Sequence, residues 1–210
     1  MRRFVFVVMA GLMAMALAAP VSAGANVSNT SGSATVAEAF WDQQNGDSSS
    51  FGYLSFWRQA KTAEATVEFW AQDGTWADCT PDDPDDDAYG FVGTVRYGYG
   101  IGSLTVGKGY GSATASAVMD VYSAIIDDCA GTYDESFEAD VAVSLDLTAN
   151  GPKAMYRGTG SFHVPSEFNS HSSYSSTSRS AAGTVEIGPS GPIAADGAIG
   201  TVSWRDHTNG

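Results

Sequence analysis

Four groups of residues in this sequence carry side chains able to do chemistry. The densest is the run Asp82-Asp83-Pro84-Asp85-Asp86-Asp87. Calcium takes six to eight oxygens, and carboxylates with loop carbonyls supply them. Asp82, Asp83, Asp85, Asp86 and Asp87 are therefore the expected ligands if a Ca²⁺ binds. Against this, the spacing is not that of an EF-hand loop, no glycine stands at a sharp turn, and Pro84 interrupts the rhythm. The preferred reading is a solvated acidic loop, with calcium as the alternative and no other cofactor.

Cys79 and Cys129 are the only cysteines. No CxxC and no nearby histidine at ligand spacing suggests a metal, so the expectation is a disulfide in an exported chain. Closing a loop of this size stabilises by about 4 kcal/mol in the chain-entropy account.

His163, His171 and His207 are scattered along the chain. No His-Glu-x-x-His pair and no Gly-x-Ser-x-Gly elbow accompanies them. Glu167 and several aspartates are able to form a glycosidase pair, but no motif marks them. No catalytic residue is assigned, and a non-catalytic protein is preferred. The aromatic residues point elsewhere. Ala65, Val67, Phe69 and Ala71 alternate with Glu64, Thr66, Glu68, Trp70 and Gln72, which puts Trp70 beside carboxylates and an amide. Tyr53 and Trp57 share a face in the same way. Tyr53, Trp57 and Trp70 are thus the expected ligand-binding residues, of the kind a sugar-binding surface presents. The rival reading buries that face under a second sheet.

The segments that must position these residues begin with a targeting sequence. Arg2 and Arg3 precede the apolar run Phe4–Ala19, and Val21-Ser22-Ala23 fits a small-residue cleavage site. Residues 1–23 read as a signal peptide, residues 24–35 as a flexible polar leader, and residues 36–210 as one domain. The apolar run is short for a membrane span, so no stable insertion is expected after cleavage. The chain carries a formal charge of −14, and losing Arg2 and Arg3 makes it −16. Such acidity repels nucleic acid and anionic membranes.

The domain reads as strands and turns. Asp140–Thr148 alternates Val141, Val143, Leu145 and Leu147 with polar residues, and Asn150-Gly151 is expected to turn it into a hairpin with 153–164. Asp73-Gly74 and Gly100 or Gly102 read as further breaks. The serine-rich stretch 165–180 reads as low-complexity loop. About nine or ten strands without a long helix predict an all-β, antiparallel β-sandwich, with a β-barrel as the alternative. The function expected is secreted, extracellular and non-catalytic: binding of carbohydrate or a protein partner. An exported hydrolase and a structural surface protein are the alternatives.

Overall fold

The computed structural model describes residues 27–80, 88–164 and 168–209. Residues 1–23, expected as a signal peptide, and Asp82–Asp87, expected as a calcium site or a solvated acidic loop, lie outside the described residues, as does Glu167.

Eight strands follow in chain order: β1 (Val27–Asn45), β2 (Ser48–Gln59), β3 (Ala65–Asp78), β4 (Tyr89–Val106), β5 (Ser112–Asp127), β6 (Thr132–Val164), β7 (Phe168–Ile187) and β8 (Pro192–Asn209). Each pairs antiparallel with its chain neighbours, and β1 also pairs with β8, so one sheet closes into a barrel. Two packed sheets were the leading expectation; the strands form one. Closing the sheet leaves no permanent edge at the level where all eight strands pair.

The strand count is eight because several expected breaks are not breaks. β3 runs through Asp73-Gly74, where a Cβ on Gly74 would fall 2.7 Å from the Phe91 ring. β4 runs through Gly100 and Gly102. Asn150-Gly151 is no hairpin: it sits at a register shift inside β6, which continues to Val164. From Asn169 onward the serine-rich stretch is strand, paired on both sides by β6 and β8. β1 likewise begins at Val27, inside the segment expected as a leader.

The barrel encloses the core. Ala37, Ala39 and Trp41 of β1 meet Leu54 and Phe56 of β2, Val67 and Phe69 of β3, Leu104 of β4 and Val185 and Ile199 of β7 and β8. The alanine face of β5 is matched by bulk next door: Ala113 pairs with Leu147, Ala115 with Leu145 and Ala117 with Val143. Eight strands make a bore just wide enough for side chains to fill.

The ends are not flush. At the lower end, β3, β4, β5 and β6 extend together; Thr75–Asp78 pairs only with β4, and Thr132–Glu138 only with β5. The Cys79–Cys129 disulfide, with Cα atoms 4.8 Å apart, fastens β3 to the β5–β6 turn there. The Asp128 carboxylate accepts a hydrogen bond from the Phe91 N–H at 2.9 Å, and Asp127 accepts one from the Ala130 N–H at 2.8 Å. At the upper end, β6, β7, β8 and β1 extend; residues 153–164 of β6 pair only with β7, and residues 27–33 of β1 ladder only with β8.

Candidate functional site: an aromatic row on the outer wall

Alternation places Tyr53, Trp57 and Trp70 on the face opposite Leu54, Phe56, Val67 and Phe69, which is the outside of the barrel. Among the described residues, no second sheet covers them. All three are partly exposed.

The register then shows what single strands cannot. Phe40 pairs with Tyr53, Tyr53 with Trp70, Trp70 with Tyr97, Tyr97 with Tyr122, and Tyr122 with Phe137. Six aromatic side chains therefore stand in one cross-strand row over β1 to β6. Five steps of about 4.8 Å give a row on the order of 24 Å long. Tyr97 and Tyr122 stack with ring centroids 5.2 Å apart, Phe137 follows at 5.0 Å from Tyr122, and Phe40 lies 6.5 Å from Tyr53. Phe51 meets Trp70 edge-on at 5.6 Å and extends the patch toward the lower end. Aromatic pairs of this kind hold each other in place, which fixes the row before any ligand arrives. Phe137 joins it because β6 carries a bulge opposite Met119 and Val121, where Asp140 takes φ 59°. Without that bulge Phe137 would be out of phase with Tyr122.

The next row toward the upper end is polar: Glu38, Ser55, Glu68, Tyr99 and Asp120. The Tyr53 hydroxyl donates to Glu68 Oε1 at 2.7 Å, and the Trp57 indole N–H donates to Ser55. Burial, with Glu68 beside it, pushes the Tyr53 phenol well above its ordinary value. Burial also raises the Glu38 carboxyl. Trp57 lies one row further on, between Val36 and Thr66. The wall thus offers a strip of rings bordered by carboxylates and hydroxyls. Rings pack against the C–H faces of a sugar, and carboxylates accept from its hydroxyls.

Of the residues expected from sequence, Tyr53 and Trp70 fall within the row and Trp57 lies beside it. Phe40, Tyr97, Tyr122 and Phe137 were missed, since their partnership depends on pairing between distant segments. The histidines are less scattered than their numbering suggests. His171 and His207 are direct cross-strand partners on β7 and β8, and His163 stands two residues beyond the β6 partner of His171. His163 and His207 hydrogen-bond the Asn169 and Asn29 side chains. Among the described residues, no group of three or more His, Cys, Asp or Glu side chains is arranged to hold a metal ion. Comparison with known protein families, curated proteins and solved structures finds no match to this chain.

Proposed function

We propose that this is an exported, non-catalytic protein that binds an extended polysaccharide along the aromatic row of its outer wall. The observation that carries this reading is the six-strand register that aligns Phe40, Tyr53, Trp70, Tyr97, Tyr122 and Phe137. The inter-strand spacing is close to the repeat of a chain of β-linked pyranoses, so successive rings meet successive sugars. The polar row beside it supplies acceptors for the hydroxyls along one edge of such a chain.

Export is supported by the Arg2–Ala23 pattern and is compatible with the disulfide, which persists in oxidising compartments. On β5 the inner face is apolar where a membrane-spanning barrel has a polar lumen, and the outer face mixes Ser112, Thr114, Ser116 and Asp120 with Val118, Tyr122 and Ile125. That distribution favours an aqueous setting over a lipid one.

The test is a glycan array followed by co-sedimentation with insoluble polysaccharides. At least one β-linked polysaccharide is expected to retain the protein, and W70A/Y97A/Y122A is expected to abolish retention. Retention unaffected by the triple variant overturns the proposal. Capture of a purified protein partner by the same row, with no glycan bound, would replace it by the protein-binding alternative.

One observation favours hydrolysis as a second reading. Glu38, with its raised carboxyl, and Glu68 share a row two strands apart, and carboxylates in unlike environments are how acid and base roles divide. Release of reducing ends from a retained polysaccharide, lost in both E38Q and E68Q, is the result that would establish it.

A further inference from the structure

We propose that the upper extension carries a separate binding site for a small anion, a phosphate, sulfate or carboxylate on a hydroxylated carrier, in the groove formed by Arg157, Arg205 and Lys61.

Eight basic residues follow Arg3: Arg58, Lys61, Arg96, Lys108, Lys153, Arg157, Arg179 and Arg205. Four are spent on the fold. Arg96 pairs with Asp73 at 2.6 Å. Arg58 donates to the Leu104 carbonyl at 2.7 Å and Arg179 to the Gly151 carbonyl at 2.8 Å. The Lys153 ammonium lies over the Tyr110 ring, 5.1 Å from its centroid. The other four, Lys61, Lys108, Arg157 and Arg205, have no ion-pair partner among the described residues. Three of those four line one groove of about 800 Å³ at the upper end.

The rest of that groove suits an anion and its carrier. On the barrel-facing side of the extension, Arg157, Ser175, Ser203 and Ser33 form one cross-strand row, and Thr159, Ser173, Arg205 and Ser31 form the next. Neither row holds a carboxylate. Asp206 is the acidic neighbour on β8, and alternation turns it to the opposite face. An arginine fork gives two parallel N–H donors to a carboxylate, sulfate or phosphate. Serine and threonine hydroxyls donate or accept as the carrier requires.

Size follows from the charge of the whole chain. Asp73, Asp78, Asp127, Asp128, Asp134, Glu135 and Glu138 lie toward the lower end. A long polyanion would meet that field as well as the groove. A small anion meets only the local cations, because charges further than about 8–10 Å are screened.

Isothermal titration of the exported chain with inorganic phosphate, inorganic sulfate, glucose 6-phosphate and glucuronate separates the sources, with glucose as the uncharged control. At least one anion is expected to bind saturably at one site, and glucose is not. R157A/R205A is expected to weaken binding by roughly tenfold or more. K108A removes one positive charge at the same end outside the groove and is expected to change nothing. R157K/R205K keeps the charge without the fork, and is expected to fall between; it carries the test if the alanine pair melts early. No saturable binding by any of the four anions overturns the proposal. So does a loss in K108A that matches, per charge removed, the loss in R157A/R205A, which would mean diffuse attraction and no site.

Discussion

Glu38 is the residue whose environment makes the most specific demand. Burial raises its carboxyl above the ordinary 4.5, so the folded chain holds that proton more tightly than the unfolded chain does. Stability is therefore fully present below the ordinary carboxyl value and falls as pH rises through the raised one. Glu38→Gln cannot ionise. It is expected to melt above the parent at about pH 8 and to lose that advantage near about pH 3.5, as read by thermal scans at both values. An unchanged difference across that range would mean that Glu38 is not the source. Gly90 makes a steric demand. A Cβ there would lie 2.7 Å from the Asp128 Cβ and 2.8 Å from the Cys79 sulfur. Gly90→Ala is expected to cost about 1–3 kcal/mol by overpacking and to raise the free-thiol content. Chemical denaturation and a thiol titration measure the two effects. That Trp70 stands beside Glu68 and Gln72 was legible at this scale from β-alternation, whereas the Tyr53–Glu68 hydrogen bond joins β2 to β3 and was not.

Strands and their ends are where sequence reading and structure part. Glycine and Asn-Gly signals read as turns, yet Gly74, Gly100 and Gly102 lie inside strands, pressed against neighbouring side chains or backbone. In this barrel glycine makes room as often as it makes a turn, and local composition does not distinguish the two uses. The Ser-rich β7 was missed for a related reason. It has no apolar alternation between Ser170 and Ser180 because its inner face there lines a polar groove and not the core. Two element-scale outcomes follow. The disulfide ties the lower extension, so C79S/C129S is expected to lose about 2–4 kcal/mol, which lowers the melting temperature by roughly 5–15 °C. Amide exchange is expected to be fast along residues 153–164 of β6, whose outer edge has no partner strand, and slow in the middle of β4, paired on both sides. Equal protection of the two would contradict the extension.

At the scale of the molecule, one closed sheet turns its apolar side chains inward and the aromatic row outward. Leu54, Phe56, Phe69 and Leu147 lie fully buried inside the barrel, whose eight strands leave a bore of side-chain width. The outer wall is the proposed binding surface, and its breadth comes from strands far apart in sequence. That is why the aromatic row was beyond sequence reading: its members span Phe40 to Phe137, and only the register, with the β6 bulge, brings them into line. The disulfide and the all-β class were legible, since cysteine count and alternation are local facts. The most direct test of the row is its length. Oligosaccharides of increasing length, cut from a retained polysaccharide, are expected to bind more tightly with each added sugar up to about five or six units, set by five strand spacings of about 4.8 Å, and no more tightly beyond. Affinity that is already maximal with one or two sugars, or that persists in W70A/Y97A/Y122A, would contradict it.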